Sequence, residues 1–269
     1  DELGGQYICG EIIRRIKAEF HNLTGIVDVY PAVNPLGLDA RTRAVPISDI
    51  DYSSAFPGDI NGGLEDYTAA KLLEDIKGAS CCIDIHSSNI FLQEVPQVRL
   101  NDDYDEMLLH LAKYMNTDLV WIHPSQTVNE GSLAYALNQM GIPTMVTESG
   151  SAFRIRYEYC RQIIDGIFSV MAELGIWKGK TNGKTDVPFI NEDKICYLNC
   201  EFSGLFVSYK RLKDRVKKGE IIGIIQNPLM GATEEEVIAP VDGILMTLRE
   251  HPSVAEGSLV ARVIGGGNL

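Results

Sequence analysis

The feature that most constrains this chain is a change of rhythm near Trp177. Before it, short β-branched stretches alternate with segments of helical period; after it, no helical period survives. Residues 6–20 read as an amphipathic helix, with Ile8, Ile12, Ile13 and Ile16 on one stripe and Arg14, Arg15 and Lys17 off it. Residues 25–34 (GIVDVYPAVN) read as a strand, and residues 35–63 as a long irregular stretch of the kind that carries function. The spacing then predicts a helix over 64–77, a buried strand over 80–86, a helix over 104–115, a strand over Leu119–His123, a helix over 131–140, a strand over 144–148 and a mostly helical run over 152–174. Such alternation folds as α/β around a largely parallel or mixed sheet, with working residues at the carboxyl ends of the strands. Residues 178–188 (KGKTNGKTDVP) read as a linker, and from Ile190 short apolar pieces between turns read as a small all-β unit. The expected organisation is an α/β domain over 1–180 and a β domain over 189–269.

Composition narrows the partners. Twenty-four Lys and Arg against 37 Asp and Glu give a net charge of −13. That surface repels phosphate backbones and anionic lipids, which excludes nucleic acid and membrane surfaces and leaves a small-molecule substrate. No apolar run approaches the roughly 20 residues that span a bilayer. A homo-oligomer stays open. The six cysteines include an adjacent pair, Cys81 and Cys82, inside an apolar strand, which suits reduced thiols and a cytoplasmic setting.

Several residues at strand ends can carry chemistry. Asp84 and His86 fall on one side of the same strand, so the carboxylate can orient the imidazole, as it does for metal-bound histidines. The bland alternative is a hydrogen-bonded histidine. Glu148 ends another buried strand, where a carboxylate is costly unless used or paired, Arg154 and Arg156 being candidate partners. His123 reads as a satisfied loop histidine, and Cys196 and Cys200 as core. A Cys81 or Cys82 nucleophile acting with His86 is conceivable, but strand-buried thiols are usually inert.

Taken in order, these pieces resemble the succinylglutamate desuccinylase/aspartoacylase branch of the zinc carboxypeptidase-like (M14) superfamily. That family opens its site with Gly-x-His-Gly-(Asp/Asn)-Glu followed by a helix; this chain begins Asp1-Glu2-Leu3-Gly4 and then a helix. Asn34-Pro35-Leu36-Gly37 and Arg43 match the family's next phrase. Asp51-Tyr52-Ser53-Ser54-Ala55-Phe56-Pro57-Gly58 stands where the family has Asp-Leu-Asn-Arg-x-Phe-Pro-Gly. Asp84-Ile85-His86 matches Asp-x-His, and Glu148 the catalytic Glu of a later strand. In the C-terminal part, Gly204-Leu205-Phe206, residues 216–220 (VKKGE) and residues 239–243 (APVDG) are similar to the family's β domain. That domain resembles a biotinyl/lipoyl-type sandwich, but the stretch APVDGILM lacks the carrier lysine, so covalent cofactor carriage is not expected.

The resemblance implies a zinc-carboxypeptidase-like mixed sheet flanked by helices, with a C-terminal barrel-sandwich-like β domain that caps the site. It implies zinc held by a His, Glu2 and His86, with Asp84 behind His86. Glu148 would be general base and acid, Arg43 an oxyanion donor, and Ser53 and Ser54 would stand at the substrate-binding positions. The expected reaction is hydrolysis of an amide or ester of a small N-acyl amino acid. Two departures matter. The family's leading His is not in this sequence, and a helix entered so soon after Asp1 implies chain ahead of it. Ser53-Ser54 replaces Asn-Arg and removes the fork that grips a carboxylate, unless Arg99, Arg154 or Arg156 supplies one. The rival expectation is a catalytically inactive relative that binds a small molecule or protein.

Overall fold

Hydrophobic periodicity and capping residues explain where most elements begin and end. The computed structural model describes residues 1–125, 129–183 and 186–266. The first helix, α1 (Leu3–Ala18), buries Ile8 and Ile12 and leaves Arg14 and Lys17 outside. α2 (Pro35–Ala40) begins on an Asn34 cap, whose side chain accepts from the Gly37 N–H, with proline in the first turn. α3 (Leu64–Ile76) is followed by β1 (Cys82–Ser87), β2 (Leu92–Asn101), α4 (Glu106–Ala112), β3 (Leu119–His123), α5 (Leu133–Gln139), β4 (Thr144–Gly150) and α6 (Tyr157–Glu173). Asp105 and Ser132 cap α4 and α5 in the same way.

The remaining elements are short strands: β5 (Phe189–Asn191), β6 (Ile195–Asn199), β7 (Gly204–Ser208), β8 (Arg215–Val216), β9 (Ile221–Gln226), β10 (Thr233–Ile238), β11 (Gly243–Arg249), β12 (Ser253–Val254) and β13 (Leu259–Gly265).

One mixed sheet, nine-stranded among the described residues, runs β1-β4-β2-β11-β13-β6, with β3 beside β2, β5 beside β3 and β8 beside β11. β1 pairs with β4, β2 with β3, and β3 with β5 in parallel; β2 pairs with β4 and β11 antiparallel. Ile83 and Ile85 of β1 and Val98 and Leu100 of β2 point to the α1 and α6 side, where they join a core containing Ile8, Ile12, Ile163 and Phe168. Each fully buried aliphatic side chain there contributes about 1.5–3 kcal/mol. Alternation therefore turns Asp84, His86, Gln97, Arg99 and Glu148 to the opposite face. A second antiparallel sheet, β10-β9-β7-β12, encloses another core with strands of the first, built on Leu198, Phe206, Ile222, Ile225, Leu245 and Val263.

Two local expectations fail. Residues 25–34 form no strand: Ile26 is 84% exposed, and no described strand pairs with the segment. Val, Ile and Tyr favour extended backbone, but a strand also needs a neighbour with a free edge in register. Conversely, β2 is a central ten-residue strand that the pattern hides. Pro96 lies inside it, and the register with β4 slips between Glu94 and Gln97. Proline is admitted at such a bulge, and the bulge breaks the two-residue alternation that would have announced the strand.

Candidate active site

The site begins where α1 meets the end of β1. Gly4 and Gly5 make the approach possible: a Cβ at Gly5 would lie 3.1 Å from the Ile85 carbonyl oxygen, and one at Gly4 3.0 Å from Ser87 Oγ. With the helix seated this closely, Glu2, immediately ahead of it, reaches the strand end. Its Oε2 accepts from the Ser87 N–H at 3.0 Å, and its Oε1 lies 2.9 Å from His86 Nδ1. On the other side of the ring, Asp84 Oδ2 lies 3.1 Å from His86 Nε2. Burial opposes a charge on His86, but Asp84 and Glu2 outweigh it and push its pKa well above the ordinary histidine range.

Arg43 approaches from the irregular segment after α2. Its Nε donates to Asp51 Oδ2 at 2.6 Å, its Nη2 to Ser53 Oγ at 3.3 Å, and its Nη1 lies 3.8 Å from Glu2 Oε1. Asp51 in turn accepts from the Ser53 N–H. These residues line one end of a cavity of about 1120 Å³, to which Glu2, Arg43, Ser53, Asp84 and His86 contribute. Ser54 is exposed and is not among its lining residues.

Glu148 stands on the neighbouring strand, directly opposite His86 in the parallel ladder. It does not line the cavity and is 9% exposed. Its Oε2 lies 3.2 Å from Arg99 Nη1, while its Oε1 is buried without a hydrogen-bond partner among the described residues. Burial pushes its pKa up to about 7; Arg99 and His86 pull it down, and Glu94 and Glu2 add to the rise. A carboxyl poised near neutrality can take a proton and return it.

Behind Glu148 lies a buried charge cluster that sequence reading missed, apart from Arg99. Arg99 Nη2 donates to Glu94 Oε2 at 2.7 Å, Gln97 Nε2 to the same oxygen at 3.2 Å, and Arg262 Nη1 to Glu94 Oε1 at 2.5 Å. Thr247 Oγ1 donates to Glu94 Oε1 at 3.3 Å. Arg99 and Arg262 both lie over the Trp121 ring, each 5.3 Å from its centroid. The slipped register at Pro96 re-aims Glu94 onto this face, so no simple spacing in the sequence could have revealed it.

The other candidates do not join this group, although Cys81 and Cys82 line the same cavity. Arg156 pairs with Glu250, and Arg154 donates to the Phe153 carbonyl, so neither partners Glu148. His123 stacks on Trp121 at 4.0 Å, and burial, with Arg99 and Arg262, lowers its pKa to about 4. Burial pushes the Cys81 and Cys82 thiols up to about 11 and 12, which argues against a cysteine nucleophile. Cys196 and Cys200 belong to the second core.

The donors at the strand end suit a hard or borderline cation in part. An imidazole nitrogen and a carboxylate oxygen are typical zinc donors, and two donors on one tetrahedral zinc sit about 3.3 Å apart, close to the Glu2–His86 separation. Among the described residues no third His, Cys, Asp or Glu completes such a group.

Comparison with known proteins decides the kinship. The succinylglutamate desuccinylase/aspartoacylase catalytic domain matches residues 1–174. The chain belongs to the succinylglutamate desuccinylase/aspartoacylase family. This is a family of deacylases acting on N-acyl amino acids. One relative, the N-alpha-acetyl-L-2,4-diaminobutyric acid deacetylase of Halomonas elongata, is 25% identical over 270 residues, covering 97% of this chain and 78% of the relative. The crystal structure of a succinylglutamate desuccinylase/aspartoacylase from Rhodobacter sphaeroides shares the fold with a TM-score of 0.84 at 23% identity, covering 100% of this chain and 83% of that one. The product-bound ectoine utilization protein EutE (DoeB) from Ruegeria pomeroyi gives the same TM-score at 22% identity, covering 98% and 82%. Among the described residues no helix is long and apolar enough to cross a membrane.

Proposed function

We propose that this chain is a zinc-dependent amidohydrolase that removes the acyl group from a small N-acyl amino acid, with Glu148 as general base and acid. The observation that carries the reading is the placement of Glu148 opposite His86 in adjacent strands, its carboxyl pushed up to about 7, beside the Glu2–His86–Asp84 chain of contacts. Glu2 Oε1 and His86 Nδ1 would hold the metal, and Asp84 would fix the ring through Nε2. When bound, zinc supplies Lewis-acid polarisation and lowers the pKa of water. Glu148 takes the proton of the attacking water and hands it to the departing amine. Arg43, oriented by Asp51, faces the oxygen of the scissile carbonyl as negative charge grows there; one such donor is worth about 3–4 kcal/mol of barrier.

In this reading residues 1–180 carry the hydrolase and residues 189–269 a β domain, none of whose described residues lines the cavity. Ser53 contributes a hydroxyl at the cavity wall in place of a charged fork, so the substrate's carboxylate is read less strongly there than in relatives that have Asn-Arg. The Halomonas relative makes an N-acetylated diamino acid the first substrate to test. The six free cysteines support a cytoplasmic setting. A second reading, an inactive relative that binds a small molecule or protein, is favoured by Ser53-Ser54 standing where the family has Asn-Arg.

Metal analysis together with turnover of N-acetyl-L-2,4-diaminobutyrate, N-acetyl-L-aspartate and N-succinyl-L-glutamate separates the two. The enzyme reading expects about one zinc per chain, loss of deacylation on chelation, and loss of metal in Glu2→Ala and His86→Ala. Absence of metal and of turnover on all three substrates, in a chain that carries the family's leading His ahead of Asp1, would overturn the enzyme reading.

A further inference from the structure

The buried cluster behind Glu148 joins β2 to a strand near the C-terminus. Glu94 is 1% exposed and takes hydrogen bonds from two guanidinium groups: Arg99, from its own strand β2, and Arg262, from β13 near the C-terminus. Arg99 is itself shared, with Nη2 on Glu94 and Nη1 on Glu148. Two cations thus balance two carboxylates in a buried setting. Taking Arg262 away leaves Arg99 alone between Glu94 and Glu148. The contact with Glu94 is the shorter, 2.7 Å against 3.2 Å, and Glu94 has the less solvent, so Arg99 is drawn toward Glu94 and away from Glu148.

We propose that Arg262 is a positioning residue for Glu148: by neutralising Glu94 from the C-terminal strand β13, it frees Arg99 to hold the carboxylate that moves the proton. Arg262 acts through Arg99 and has no contact with Glu148. The inference rests on the role given to Glu148 above, and it makes the C-terminal strands part of the proton-transfer apparatus. The charged groups acting on Glu148 are Arg99 and Glu94 from β2, His86 from β1, Glu2 ahead of α1, and Arg43 from the irregular segment. Of these, only the Arg99–Glu94 pair is reached by Arg262.

The test is crystal structures of the full-chain variants, read at the Arg99–Glu148 pair. In Arg262→Met the Arg99 guanidinium should close on Glu94 and leave Glu148, opening their 3.2 Å contact to beyond about 4 Å. Arg262→Lys, which keeps the charge, should hold the parent's contact. The double variant Glu94→Gln/Arg262→Met restores one cation to one carboxylate, keeps the cluster neutral for folding, and should keep Arg99 on Glu148. An unmoved Arg99 in Arg262→Met overturns the proposal, as does an equal displacement in all three variants. If Arg262→Met fails to fold, the double variant decides alone, an Arg99 displaced from Glu148 counting against the proposal. Full activity in Glu148→Gln would remove the proton-transfer reading and leave this displacement standing; an unmoved Arg99 beside an inactive Glu148→Gln removes this inference only.

Discussion

At Glu148 two demands conflict. A buried carboxylate prefers to be neutral, and a general base must be charged. The compromise is a pKa pushed up to about 7 by burial and held from rising further by Arg99. In catalysis, kcat/KM should fall about tenfold per pH unit below that value, because only the deprotonated form accepts the water's proton. Glu148→Gln should keep the fold and the metal and lose about 10²–10⁴-fold in kcat, measured on whichever substrate of the panel turns over fastest. In stability the sign is opposite to that of an ordinary salt-bridged acid. A carboxyl with a raised folded-state pKa loses stability as pH rises through that value. Glu148→Gln should therefore melt like the parent near pH 4 and above it near pH 9, by roughly 1–3 kcal/mol, in thermal denaturation across that range. Equal melting at both ends would show that Glu148 is not desolvated.

At the level of single elements, the seat of α1 on β1 is the joint on which the site depends. The two glycines let Glu2 come within hydrogen-bond reach of both the Ser87 N–H and His86. Gly5→Val would push a branched side chain into the Ile85 carbonyl and move the start of the helix outward. The expected cost is about 1–3 kcal/mol of stability, with a larger proportional loss of metal affinity, measured by denaturant unfolding alongside metal titration. A loss of stability without any loss of metal would place Glu2 outside the metal's reach. Elements such as α1, α5, β3 and β4 were legible in the sequence because their apolar periods are uninterrupted, with a Ser132 cap opening α5. Asp84 and His86 were legible for the same reason, alternation alone placing them together. β2 was not, because Pro96 and a bulge scramble its alternation, and with β2 went Glu94 and Gln97. The segment 25–34 misled in the other direction: its residues favour extension, but pairing depends on a neighbour, which no local window contains.

At the scale of the whole molecule, the rhythm change near Trp177 marks a change of element type, while the sheet continues across it. Thr247 of β11 faces Glu94 of β2 in the ladder, and Leu245, Val260 and Val263 fill the core on the far side. A chain ending at residue 188 would leave the β2 edge bare and Glu94 without Arg262. It should lose its cooperative melt and self-associate, which light scattering and calorimetry would detect. A monomeric, cooperatively melting product would show that the first part stands alone. The ladder between β2 and β11 also restricts how a reactant can enter. Backbone hydrogen bonds and a buried ion pair cross the junction, so the C-terminal strands cannot swing aside like a door on its hinge without breaking them. Traffic into and out of the cavity then falls to the segments that line it, among them residues 25–34 and the irregular stretch bearing Arg43, Asp51 and Ser53, and changes in their length or stiffness should tune the rate of product escape.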